Sequence, residues 1–178
     1  MEILNAFSMP ICIDFLENID NQSLKYFCLE KSSEQNGQSF LLDWNLSPLK
    51  ILSNLILTKV NEMHVECGLK YSQKISHVWC NSGKPNKITT PHTHPSFFTA
   101  IYYVTGGSRL GLVNPNNNIE NLIPSNFVEN YNSFNQLFQW IYPRPGLLII
   151  HPSWLLHFVD DDCSNERISI AFNTDIIT

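Results

Sequence analysis

From Gly68 onward the chain is cut into short apolar runs closed by glycine, proline or asparagine, and this punctuation limits its fold more than any other feature. The runs are Ile75–Asn81, Thr99–Val104, Arg109–Val113, Leu147–Ile150 and Arg167–Asn173, each four to seven residues long. Between them stand Ser82-Gly83-Lys84-Pro85-Asn86, Gly106-Gly107, Asn114-Pro115-Asn116-Asn117-Asn118 and Pro145-Gly146. Runs of this length, rich in β-branched and aromatic residues and bounded by turn formers, read as strands. The last run alternates, with Ile168, Ile170 and Phe172 on one face.

The residues before Gly68 read differently. Pro10 opens a short strand at Ile11-Cys12-Ile13, where its missing N–H does least harm. A helix is expected over Asn18 to Cys28, with Leu24 and Phe27 inward, followed by a polar loop from Lys31 to Ser39. Ser47 is placed to cap a second helix with Pro48 at its first position. Leu52, Leu55, Ile56, Val60 and Met63 recur at helical spacing for about four turns. Gly68 is the expected stop. Helices first and then many short strands predict a mostly β (α+β) fold, a double-stranded β-helix (jelly roll, cupin-like) with N-terminal supporting helices. The 178 residues suit one domain, with 1–68 packing on the roll and 69–178 forming it. The segment 119–140 reads as a loop carrying Phe127, Tyr131, Phe134, Phe138 and Trp140, either a lid or a cover for the roll.

Charge and cysteine usage exclude several classes of function. A net charge of −5 offers no basic field for phosphates, so nucleic acid is not an expected partner. The five cysteines are odd in number and form no Cys-x-x-Cys, which fits reduced thiols in a cytoplasmic protein. No signal-peptide pattern opens the chain, and no apolar run approaches the roughly 20 residues of a membrane span. Ser153 lacks a nucleophile elbow, Cys163 has no basic neighbour in sequence, and there is no P-loop or dinucleotide fingerprint.

Histidines carry the chemistry. In Pro91-His92-Thr93-His94-Pro95, positions i and i+2 can share a face, and the flanking prolines keep both out of a regular central ladder. A third histidine, His157, follows Pro152-Ser153-Trp154-Leu155-Leu156. Ten residues later Arg167-Ile168-Ser169-Ile170-Ala171-Phe172-Asn173 begins. Arginine's planar fork suits a carboxylate, and Ser169 shares its face. Alternation lets only one of Tyr102 and Tyr103 point inward; counted from His94, Tyr102 is favoured.

This order of motifs resembles the Fe(II)/2-oxoglutarate-dependent oxygenases, closest to a small family with the pattern H-x-H-P, then P-S-W-x-x-H, then R-I-S-I-x-F-N. The resemblance covers about 75–173 and is most diagnostic over 145–173. It implies a dioxygenase, a hydroxylase in the main, using Fe(II), 2-oxoglutarate and O₂ on a small molecule or a protein side chain. It implies His92, His94 and His157 on the metal, and Arg167, Ser169 and Tyr102 on the far carboxylate of the keto acid. One departure is His94, where most of the superfamily has a carboxylate. Either three imidazoles hold the metal, or His94 stands aside and water replaces it. The alternative function is a cupin-like metal-binding roll without oxygenase activity. His64, His77 and His151 carry less weight, Trp154 reads as core or as a wall of the site, and Asp160 to Asp162 read as a solvated turn.

Overall fold

The structure is a computed structural model that describes residues 1–2, 8–35, 39–83, 88–116, 119, 123–160 and 167–177. The N-terminal third supplies an edge strand β1 (Cys12–Phe15), helix α1 (Asn21–Gln35), a short strand β2 (Ser39–Leu41) and helix α2 (Leu49–Glu66). Asp20 caps α1, accepting the Ser23 N–H at 3.0 Å and the Ser23 hydroxyl at 2.6 Å. The helix runs on through Lys31 to Gln35, where a loop was expected. Polarity alone does not stop a helix, and no glycine or proline lies between Pro10 and Gly37. There Lys31 and Glu34 pair at 2.8 Å on its solvent side.

Helix α2 starts at Leu49, with Pro48 in the cap position and no side-chain cap, so Ser47 does not cap it. Leu52, Ile56, Val60 and Met63 are buried as their spacing predicts, whereas Leu55 is 38 % exposed. Gly68 ends it at φ +70°, its N–H bonded to the Val65 carbonyl at 2.8 Å. Among the described residues no helix is long and apolar enough to cross a membrane.

The remaining strands are β3 (Gln73–Gly83), β4 (Thr89–His92), β5 (Phe98–Tyr103), β6 (Leu110–Val113), β7 (Phe138–Ile141), β8 (Leu147–Pro152), β9 (His157–Val159) and β10 (Arg167–Ile176). They form two antiparallel sheets, six strands in the order β1-β8-β5-β10-β3-β2 and four in the order β4-β9-β6-β7. This is the double-stranded β-helix. β7 lies where a loop was expected; it pairs with β6 through Leu110↔Ile141 to Val113↔Phe138. Ser125–Phe127 forms a single 3₁₀ turn within the same segment.

The six-stranded sheet is covered on both faces, which is why β5 and β8 read as continuous apolar runs. Ala100, Tyr102, Leu148, Ile150, Ile168, Ile170 and Phe172 face α1 and α2 and pack with Leu24, Leu52, Ile56 and Val60. Their neighbours Ile101, Tyr103, Leu147 and Ile149 turn to the space between the sheets, against Leu110, Leu112, Leu155 and Val159. At about 25 cal/mol per Å² buried, these two layers dominate the stabilisation of the fold.

Candidate active site

The inner faces of both sheets enclose a cavity of about 350 Å³. His92 closes β4, the edge strand of the small sheet, where Pro91 is tolerated because no partner needs its N–H. His157 opens β9 and is the register partner of His92. His94 lies beyond the end of β4, its backbone N–H bonded to the Ser153 carbonyl at 2.9 Å. The candidate ligand atoms of the three histidines all lie within 4.8 Å of one another. A single ion bonded at about 2.1 Å to each nitrogen would draw the three rings together.

Hydrogen bonds orient two of the rings for this task. Nδ1–H of His92 donates to the Thr90 carbonyl at 2.8 Å, and Nδ1–H of His157 to the Leu155 carbonyl at 2.9 Å. That tautomer leaves Nε2 of each as a bare lone pair, the form a metal takes. The His94 ring rests on Trp79, centroids 5.1 Å apart. Burial pushes His94 down to about 4, helped by the nearby His92 and His151. Burial likewise lowers His157 to about 3. Both are therefore neutral at neutral pH, and three imidazoles as a donor set fit a divalent transition metal such as iron, nickel or zinc.

At the other end of the cavity stand Arg167 and Ser169 of β10, with Tyr103 of β5. Ser169 and Tyr103 are register partners, and Arg167 is only 8 % exposed. Burial pushes the Tyr103 phenol upward, so it remains a neutral hydrogen-bond donor. Gly107, at φ +137°, passes so close that an added Cβ would lie 2.8 Å from Arg167 Cβ.

The expectation for Tyr102 is corrected. Its hydroxyl lies on the helix side and donates to Asn21 Oδ1 of α1 at 2.7 Å, while Tyr103 lines the cavity. The alternation counted from His94 fails because Pro95 to Phe97 are not strand; across them the chain crosses from the small sheet to the large one. Trp154 is 58 % exposed, so it is neither core nor a wall of the site. Asp160 is not a bare solvated acid, since Arg109 holds it through Nε and Nη2 at 2.7 Å each. Asp161, Asp162 and Cys163 lie outside the described residues. None of the described residues of 119–140 lines the cavity; Phe138 and Trp140 pack with Phe158, with Arg109 over Trp140.

Further residues came to light only in three dimensions. Trp79 and Asn81 of β3 line the cavity beside Thr99 and Ala171. Alternation along β3 places those two on one face, but nothing in the sequence says that face is inward. His151 is fully buried against His157, ring centroids 4.7 Å apart, with Nδ1–H donating to the Pro152 carbonyl at 2.9 Å. His64 is also buried, between Phe97 and Phe98, with Gln73 on its Nδ1 at 3.0 Å.

Fold and site together define a class: a double-stranded β-helix with three imidazoles converging at one end of its cavity and a buried arginine at the other. Residues 77–173, more than half of the chain, match the model of the family described as "Putative 2OG-Fe(II) oxygenase", and the chain belongs to that family. No curated protein matches it. Among solved structures it is similar to HygX from Streptomyces hygroscopicus with nickel and 2-oxoglutarate bound (11 % identity, TM-score 0.63, 94 % of this chain and 82 % of that one). It is also similar to the truncated viral collagen prolyl hydroxylase vCPH from Paramecium Bursaria Chlorella virus-1 (13 %, 0.64, 100 % and 99 %). A third similar structure is a 2OG-Fe(II) oxygenase family oxidoreductase from Burkholderia pseudomallei (13 %, 0.52), where 71 % of this chain spans 56 % of the other. Identities this low speak to the fold.

Proposed function

We propose that this chain is an Fe(II)- and 2-oxoglutarate-dependent dioxygenase, acting mainly as a hydroxylase on a small molecule or a protein side chain. The observation that carries the reading is a single cavity of about 350 Å³ lined by His92, His94 and His157 together with Arg167 and Ser169. The three imidazoles would hold the iron, which when bound supplies O₂ activation coupled to oxidative decarboxylation of the keto acid. Arg167 would receive the far carboxylate with its planar fork, and Ser169 and Tyr103 would each donate a hydroxyl hydrogen bond to it. Leu110, Val159 and Ile101 give the cavity an apolar wall that limits water near the reacting end.

His94 in the place of the usual carboxylate makes the face more positive by one charge than two imidazoles and an acid. The cupin-like alternative is the less favoured reading, because it has no use for an arginine on the β10 face of the cavity, and because the family match spans most of the roll, from 77 to 173. The test is succinate formation from 2-oxoglutarate by Fe(II)-loaded protein, alongside the Arg167→Leu variant. Succinate that depends on Fe(II) and on Arg167 is expected. Metal binding with no 2-oxoglutarate binding would return the chain to the cupin-like reading.

A further inference from the structure

A second cavity, of about 420 Å³, adjoins the candidate metal face and shares Ser39, Trp79 and His94 with the first. Its remaining lining comes from β2, from Pro95 and Ser96, and from the far halves of β3 and β10. Its charge is opposite in kind to the first cavity. Asp175 is its one carboxylate, and no lysine or arginine is among the described lining residues. The Asp175 carboxylate has no hydrogen-bond or ion-pair partner among the described residues. Its cross-strand neighbour Lys74 is exposed and outside the lining. The wall nearest the metal face is aromatic, Trp79, with its ring against His94.

One strand therefore sorts charge along its length. β10 presents Arg167 at its start and Asp175 near its end, eight residues or about 26 Å apart at a strand rise of 3.3 Å. Ala171, paired with Trp79, lies midway beside the metal face. A dianionic keto acid is drawn to the arginine end and repelled from the carboxylate end. A carboxylate beyond an aromatic wall favours the converse: a cation whose apolar stem lies along tryptophan and whose charge reaches the acid.

We propose that this second cavity is the substrate subsite and that it takes an organic cation, a primary ammonium or guanidinium on an alkyl chain. Asp175 binds the charge and Trp79 packs the chain that leads toward His94. The inference rests on the dioxygenase reading above. The span from Ala171 to Asp175, about 13 Å along the strand, selects an elongated molecule.

The experiment is calorimetric titration of Ni(II)-loaded protein with 1,5-diaminopentane, agmatine and a terminally blocked tripeptide with a central lysine, against 1-pentanol and hexanoate as controls. The amines should bind and the controls should not, and Asp175→Asn, a near-isosteric change at a half-exposed position, should weaken the amines about tenfold or more. Binding of the free amines without the peptide identifies a small metabolite as the source of the cation; binding of the peptide without the free amines identifies a protein side chain. Pentanol or hexanoate binding as tightly as the amines, an unchanged affinity in Asp175→Asn, or no amine binding overturns the proposal. A parallel 2-oxoglutarate titration of the same sample separates the two readings. Arg167-dependent keto-acid binding without amine binding sinks only the cation assignment, whereas loss of keto-acid binding sinks the dioxygenase reading.

Discussion

His92 and His157 are register partners across the β4–β9 ladder, with ring centroids 4.4 Å apart. The pairing fixes two imidazoles through backbone hydrogen bonds and leaves His94, outside the ladder, as the third. Removing either ladder histidine with His92→Ala or His157→Ala should lower Ni(II) affinity by more than about 100-fold, beyond what loss of an outer partner costs. His94→Asp should retain the metal. Chelator competition measures both, and full affinity in the alanine variants would show that the ions bind elsewhere.

The pH dependence of the metal-free protein follows from burial. Burial holds His94 and His151 at about 4 and His157 at about 3, below the ordinary 6.5. Below about pH 6.5 the unfolded chain takes up protons that the folded one refuses, so stability falls with acidification. It is whole above that pH and lost progressively toward pH 4 and 3. Melting temperatures of the metal-free protein from pH 7 to 4.5 should drop, and His151→Leu should drop less steeply. An equal slope in the variant would mean that His151 is not held neutral.

Arg167→Leu should weaken 2-oxoglutarate binding by about 3–5 kcal/mol, the cost of leaving a buried charge without its partner. Metal affinity should stay the same, since no ligand is lost. Titration of the Ni(II)-loaded variant decides it, and unchanged keto-acid affinity would make the arginine purely structural.

The adjacent tyrosines should respond in opposite ways. Tyr103→Phe removes a cavity hydroxyl and should cost about 1 kcal/mol of keto-acid affinity. Tyr102→Phe removes the bond to Asn21 and should lower the melting temperature by about 2–4 °C while keto-acid binding stays the same. Thermal melts and titrations on both variants check the assignment, and an exchange of the two phenotypes would contradict it.

Gly107→Ala inserts a methyl 2.8 Å from Arg167 Cβ at a φ of +137°. It should destabilise the fold by about 1–3 kcal/mol and loosen 2-oxoglutarate binding more than metal binding. Chemical denaturation and the two titrations measure this; equal losses for both ligands would show that the strain spreads beyond Arg167.

The meeting of the three histidines and the placing of Arg167 and Ser169 on the same cavity were legible in the order of the motifs: an i, i+2 pair, a later histidine, and an arginine–serine pair sharing one strand face. The roll was legible because its strands are short and punctuated. What escaped depends on contacts between segments. Tyr103 could not be told from Tyr102 because parity does not survive Pro95 to Phe97. Helix α1 outran its expected end because Lys31 to Gln35 are polar yet contain no breaker. β7 was missed because Phe138 to Ile141 become a strand only through their ladder with β6. Trp79 and Asn81 lie on an ordinary-looking strand, and their inward face is decided by β10 beside them.

The hydrogen bond from Tyr102 to Asn21 makes the N-terminal helices a ruler for the site. Two identical side chains in a row are a hazard in a strand, because a slip of one residue would present the cavity with a phenol of the same chemistry from the wrong position. Such an error would be chemically silent at the sheet itself. Asn21 at the start of α1 breaks the degeneracy, since it can be reached only from the helix side of β5. A segment that contributes no residue to the metal face thereby checks the reading frame of a strand that lines the cavity.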